Sequence, residues 1–152
     1  MTDTLPADDD ARELAERCMQ RMLDTDAASA ALGIRGVWVA PGQAEMAMTV
    51  TSAMLNGHQI GHGGVVFTLA DTAFAVACNS YNRNTVAIGC DIDFVAQVRA
   101  GDELRALAQE RYRLGRSGLY DVTVRRGDGV VVAEMRGRAR EIPGALVPEP
   151  AG

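Results

Sequence analysis

Lysine is absent from this sequence of 152 residues: all fifteen basic side chains are arginine, against 20 acidic ones, for a formal net charge of -5. No arginine cluster is dense enough to suggest a nucleic-acid footprint. Any phosphate contact must therefore come from arginine or from backbone N–H groups. Aromatic residues are scarce, at 5%, so a core must be built mainly from Ala, Val, Leu, Ile and Met. The three cysteines, Cys18, Cys78 and Cys90, are widely spaced and form no CxxC pair; buried, reduced thiols are the expectation. Two histidines and these cysteines make no metal site, and there is no GxSxG elbow or phosphate loop. No apolar run approaches the length of a membrane span. The opening MTDTLPADDD carries no basic-then-apolar leader. These absences lead to the expectation of a soluble cytoplasmic protein.

What the chain does have is apolar content, 47%, enough for the core of one domain and no more. Residues 1–10 are acidic and polar and are expected to be disordered. A single domain is expected over residues 11–141, and residues 142–152, with three prolines, read as an irregular tail.

The periodicity changes along the domain. Leu14, Ala15, Cys18, Met19, Met22 and Leu23 share one helical face, which predicts a helix from Ala11 to Leu23. Asp26 can cap a second short helix through Ala31, with Gly33 as its stop. Alternation then predicts a hairpin, Val37–Ala40 and Gln43–Thr51, turning at Pro41-Gly42. In its second strand Ala44, Met46, Met48 and Val50 face one way. Residues 52–61 read as a loop. Residues 62–81, HGGVVFTLADTAFAVACNSY, place apolar groups all round a helix, which predicts burial on nearly every side. Four strands follow by pattern: Thr85–Val98, with Val86, Ile88, Cys90, Ile92 and Phe94 on one face, then Glu103–Arg113, Leu119–Arg126 and Val130–Arg140. Helix, hairpin, buried helix and four-stranded meander make an α+β chain, an antiparallel sheet wrapped around one long helix. This is the hotdog layout, and its exposed sheet edge is usually covered by pairing subunits.

Asp71 lies in the middle of that apolar helix. A buried carboxylate costs several kcal/mol unless it is paired or needed. The structural reading is a partner arginine or a backbone contact, but no basic residue lies between Asp71 and Arg83. Gly61 to Gly64, GHGG, opens the same helix, whose N-terminal N–H groups and dipole favour negative charge. Without a Cβ at Gly63 and Gly64 a carbonyl oxygen can approach closely, as in an oxyanion hole; the plain reading is a tight helix start. Asp71 follows Gly63 by eight residues, about 12 Å along a helix, too far to share one carbonyl. Two such helices running antiparallel would bring Asp71 of one subunit to Gly63 of the other, which requires a dimer with two equivalent sites. Asn56 can orient water or bind an acyl carbonyl, or be only the turn residue of Asn56-Gly57. His62 can orient Asn56 or a substrate amide, or hydrogen-bond backbone at the helix start. His58 reads as solvated or as pocket rim. Asp91 and Asp93 read as exposed. Arg111, Arg113 and Arg116 can hold phosphates, or can simply be a solvated strand end.

At LNGHQIGHGGVVFTLADTAFAVACNS, residues 55–80, the sequence closely resembles the phenylacetate-degradation thioesterases, bacterial hotdog enzymes that act on phenylacetyl-CoA and its ring-hydroxylated relatives. The similarity extends to ALGI at 31–34, DIDFVAQVRAGDEL at 91–104 and GLYDV at 118–122. The resemblance implies that Asp71 is general base or nucleophile, that the Gly63 N–H polarises the thioester carbonyl, and that Asn56 and His62 lie at the reacting centre. It also implies a homodimer paired into a tetramer, acyl-CoA as substrate, and no metal or bound cofactor. A related group places a hydroxyl residue one turn after the carboxylate; Ala75 stands there, and no role transfers to it. Two other readings are an acyl-CoA binder without activity and a hotdog hydratase. The hydratase needs Asp ahead of His on the helix, and here His62 precedes Asp71.

Overall fold

The computed structural model describes residues 6–149. Its elements are α1 (Pro6–Thr25), α2 (Ala27–Ala31), β1 (Arg35–Ala40), β2 (Gln43–Thr49), a 3-10 turn (Ser52–Met54), α3 (Gly63–Asn79), β3 (Thr85–Phe94), β4 (Glu103–Leu114), β5 (Ser117–Arg126) and β6 (Val131–Glu141). The six strands form one antiparallel sheet in the order β1-β2-β4-β5-β6-β3. The segment containing α3 crosses the sheet, so β3 ends up beside β6 at the edge opposite β1. This is the expected α+β hotdog architecture.

Alternation decides which face α3 covers. Ala44, Met46 and Met48 of β2, Leu104, Ala106 and Ala108 of β4, and Tyr120, Val122 and Val124 of β5 are buried with Leu69, Ala70, Ala73, Phe74 and Ala77 of α3. The approach is close because small residues permit it. A Cβ on Gly137 would fall 2.8 Å from the Phe74 ring. Phe74 and Tyr120 pack with ring centroids 5.5 Å apart and planes tilted by 58°, a geometry worth about 1 kcal/mol beyond the area buried.

The structure changes several details of the sequence reading, among them the end of β2 at Thr49, two residues short of Thr51. Helix α1 begins at Pro6, so residues 6–10 are helical rather than disordered; residues 1–5 lie outside the described part. Strand β1 begins at Arg35 and β5 at Ser117, both two residues earlier than patterned. Strand β3 ends at Phe94, because Val95 and Ala96 both turn their N–H groups to the Val132 carbonyl. A bulge between Ala87 and Gly89 reverses the side-chain phase of β3. Ala87 therefore lies opposite buried Ala139 and Cys90 opposite buried Gly137, while Val86 faces the other way, opposite exposed Arg140. Finally, α3 is not covered all round. Gly64, Thr68, Asp71 and Ala75, spaced by helical turns, form an incompletely buried stripe, since a sheet wraps only part of a cylinder.

Residues 142–149 form neither helix nor strand, yet they are tied down. The Asn82 side chain accepts from the N–H groups of Leu146 and Val147 and donates to the Val147 carbonyl. Arg17 of α1 reaches the Pro148 carbonyl at 3.1 Å.

Candidate active site

Helix α3 starts where it does because His62 caps it. The His62 backbone is extended, and its Nδ1 accepts the Gly64 N–H at 2.9 Å. Its own N–H goes to the Met54 carbonyl, and its carbonyl accepts from Val65 at 3.0 Å and Val66 at 3.3 Å. A helix start leaves about four N–H groups without intrahelical partners. Those of His62, Gly64 and Val65 are satisfied here. Among the described residues, the Gly63 N–H has no acceptor. The first turn thus concentrates its partial positive charge on one available donor.

This corrects one expectation. Gly64 is not an available donor, because its N–H is committed to the cap. A Cβ there would sit 3.1 Å from His62 Nδ1, so the glycine makes room for the capping ring. His62 is placed as that cap, and Asn56 is fixed by its own loop instead of by His62. The Asn56 Oδ1 accepts the His58 N–H at 2.9 Å, and its backbone N–H bonds Ile60 across the turn. Gln59 takes a positive φ of 60° to close that turn. The loop is anchored by a Leu55–Gly61 bridge and by Gly61 N–H to the Val98 carbonyl at 2.6 Å. Asn56 and Gly63 both line a cavity of about 300 Å³ whose other walls include Val66, Phe94, Val98 and Val132. His58 sits exposed on the loop.

Asp71 lies two turns further along α3, half-buried, about 12 Å from Gly63 by helical rise. Burial first, and then the Asp26 carboxylate, push its carboxyl above the ordinary range; no cation offsets either effect. Asp26 is brought near by α2. It caps α2 through the Ser29 N–H at 2.9 Å, and the Ser29 and Thr72 hydroxyls join α2 to α3 at 3.0 Å. On the other side, the charge of Asp71 reaches Cys90 of β3, whose thiol is raised chiefly by burial. Helix and strand run antiparallel: Phe94 lies beside Gly63, Cys90 near Asp71, and Asn79 bonds Thr85. A carboxylate made more basic by its surroundings, and still reachable by water, suits proton abstraction.

The arginines lie elsewhere. Arg113 and Arg116 flank a small cleft at the β4–β5 turn, with Cys78 from the C-terminal end of α3 and Thr85 at the start of β3. Seventeen helical residues, about 24 Å of rise, separate that end from Gly63. One chain therefore does not bring them to Gly63. Arg113 is also engaged, stacked 3.8 Å over the Tyr81 ring and paired with Glu110 and Glu141. Arg111 pairs with Asp121 at 3.4 Å. Asp91 is exposed and paired with Arg138 at 2.8 Å, and Asp93 is exposed. No group of three or more His, Cys, Asp or Glu among the described residues is arranged to hold a metal ion.

Sequence reasoning missed Asp26 and Phe94 as neighbours of the site. Asp26 was legible only as a cap, and Phe94 only as one position in an alternating strand. Their placement depends on how α2 and β3 pack against α3, which no local pattern encodes.

Comparison with known proteins adds to the geometry. The model of the thioesterase superfamily matches residues 58–133. The acyl-coenzyme A thioesterase PaaI of Escherichia coli is 45% identical over 128 residues, which is 84% of this chain and 91% of that protein. A solved structure of the E. coli PaaI protein from the phenylacetic acid degradation operon superposes with a TM-score of 0.88 at 43% identity, covering 89% of this chain and 98% of that one. A variant of the phenylacetic acid degradation protein PaaI from Thermus thermophilus superposes with a TM-score of 0.74 at 34% identity, covering 77% and 100%.

Proposed function

The chain belongs to the thioesterase superfamily, and from that membership we propose that it hydrolyses aromatic acyl-coenzyme A thioesters of the phenylacetyl type to the free acid and coenzyme A, in the cytoplasm, as a step of phenylacetate catabolism. The observation that carries the reading is the pair on α3: one unsatisfied backbone donor at Gly63 and one uncompensated carboxylate at Asp71. The similarity to PaaI supplies the substrate class.

In the proposed mechanism the thioester oxygen accepts from the Gly63 N–H while Asp71 removes a proton from water. The resulting hydroxide oxygen bonds to the carbonyl carbon, and the charge of the tetrahedral intermediate rests on the Gly63 donor. Collapse breaks the carbon–sulfur bond, and the thiolate recovers the proton from Asp71. Asn56 holds the water or the carbonyl. No metal or bound cofactor takes part. Since 12 Å separates the two groups along one helix, Asp71 must act on a thioester held by Gly63 of a second copy, in a two-fold dimer with antiparallel α3 helices. The incompletely covered stripe of α3 and the exposed Val86 and Ile88 of edge strand β3 support such pairing. Two dimers then associate into a tetramer. Arg116, exposed at the β4–β5 turn, is the arginine we assign to the coenzyme A phosphates; Arg113 is held by Tyr81 and its two glutamates.

The test is release of free thiol from phenylacetyl-CoA. The wild type should turn it over, and Asp71→Asn should lose roughly two or more orders of magnitude in kcat while remaining folded. A folded Asp71→Asn enzyme with near-normal turnover would overturn the assignment.

A further inference from the structure

The walls of the cavity beside Gly63 differ in how firmly they are packed. The floor is fixed, because Gly61 donates to the Val98 carbonyl and a Cβ on Gly61 would press on Val98 at 3.1 Å. Val66 of α3 and Val132 of β6 belong to well-packed elements and are almost fully buried. Phe94 differs. It is the last residue of β3, and its backbone pairs with Ala133. The tip of its ring lies over Gly63, 3.0 Å from where a Cβ would be. Even so, the residue is 54% exposed, an unusual state for one of only three phenylalanines in the chain. The other two, Phe67 and Phe74, belong to the helix and its core.

Resting on the thioesterase reading above, we infer that Phe94 is the residue that selects the acyl group, its ring packing against an aromatic acyl moiety held in the cavity beside Gly63. The thioester oxygen must come within about 2.9 Å of the Gly63 nitrogen. The carbonyl carbon then carries two substituents in different directions. The pantetheine arm bears amides, which lose hydrogen bonds to water on entering a cavity lined mainly by apolar side chains. The acyl side must therefore take the cavity, between Ile60, Val66, Val98 and Val132. The ring of Phe94 already touches the residue that holds the carbonyl, so it meets an acyl group within one or two carbons of the reacting centre. A flat substituent at that distance gains offset or edge-on contact with the ring; a flexible alkyl chain gains only ordinary burial. A Cβ at position 63 would crowd the tip of this ring, which lies 3.0 Å from where it would be.

The experiment compares phenylacetyl-CoA with hexanoyl-CoA in wild type, Phe94→Ala, Phe94→Leu and Phe94→Trp. Phe94→Ala should lower kcat/KM about tenfold for phenylacetyl-CoA, and less than about threefold for hexanoyl-CoA. Phe94→Leu should lower kcat/KM more for phenylacetyl-CoA than for hexanoyl-CoA, and Phe94→Trp should retain the aromatic preference. Equal losses on both substrates, or none on either, would overturn the assignment. The same ratio is read as Kd in the Asp71→Asn background, where the thioester survives. A wild type that hydrolyses neither thioester would sink the thioesterase reading alone, because the Kd ratio still decides the role of Phe94. Should Phe94→Ala fail to fold, the leucine and tryptophan variants carry the same comparison.

Discussion

The two ends of α3 are built in opposite ways. At the C-terminal end the buried side-chain polar atoms all have partners. Asn79 bridges Ala75 and both backbone groups of Thr85, and the Ser80 hydroxyl joins the Ala77 carbonyl to the Gly42 N–H. The Glu110 carboxylate accepts from Tyr81 at 3.0 Å and from Tyr120 at 2.9 Å. Burial and this carboxylate hold the Tyr120 hydroxyl in its protonated state well beyond the ordinary tyrosine range. At the N-terminal end one N–H is left over, a cavity opens beside it, and the nearest aromatic ring is half-exposed. Satisfied polar groups fix a helix in place. An unsatisfied donor beside an open cavity is stored interaction, available to a ligand. The same helix therefore serves as anchor at one end and as reagent at the other.

The contrast can be broken from either side. The largest effect should come from Gly63→Pro, which removes the free N–H at a position where proline is conformationally favoured, read against Gly63→Ala, which adds a Cβ beside Phe94 but keeps the N–H. Turnover of phenylacetyl-CoA should fall roughly 10²–10³-fold, with circular dichroism unchanged; a smaller loss than about tenfold would mean the donor is idle. Mixing this variant with Asp71→Asn tests the shared site. Random reassortment makes half the dimers mixed, each with one intact site, so roughly a quarter of wild-type activity should return. Continued inactivity after verified subunit exchange would place both groups on one chain.

At the other end, Glu110→Ala leaves two tyrosine hydroxyls without their acceptor. Denaturant unfolding should show a loss of about 2–4 kcal/mol, with kcat per folded molecule unchanged. A change in kcat as large as that of Gly63→Pro would erase the distinction between the two ends.

Asp71 gives a prediction with the sign reversed from most carboxylates. Its folded pKa is raised, by burial and by Asp26, so between the ordinary carboxylate range and that raised value the folded state binds more protons than the unfolded one. Stability from this group is present in acid and is lost as pH rises through the window. Asp71→Asn should therefore unfold at a higher temperature than wild type at neutral pH, and the gain should vanish below the ordinary carboxylate range. A variant less stable at pH 7 would show that Asp71 has a favourable partner. The smallest effect belongs to the cap. His62→Ala should cost about 1 kcal/mol, and His62→Asn should restore most of it, as read by thermal melts.

Much of the fold was legible because it is periodic. The alternation of Ala44, Met46, Met48 and Val50 indicated a strand with one buried face, and those residues are buried. Gly33, read as a helix stop, has a φ of 69°. Periodicity failed where the backbone breaks its own rule. The bulge at Ile88 inverts β3 without any sequence signal, because a bulge changes phase by adding one ordinary residue. Within the site, Asp71 stood out as a carboxylate in an apolar run, and Gly63 as a glycine at a helix start. Gly64 looked equivalent to Gly63, and only the direction of the His62 ring separates them.

The sequence by itself determined which residues carry chemistry, since an unpaired carboxylate and a bare helix start are local properties of α3. Their 12 Å spacing, and hence the need for a second copy, also follows from helical rise alone. Tertiary structure decided which donor remains, because that depends on where the capping ring and neighbouring carbonyls point. It likewise decided that Asp26 crowds Asp71 and that Phe94 covers Gly63. Both relations join residues more than 30 positions apart in the chain, brought about by packing α2 and β3 against one helix.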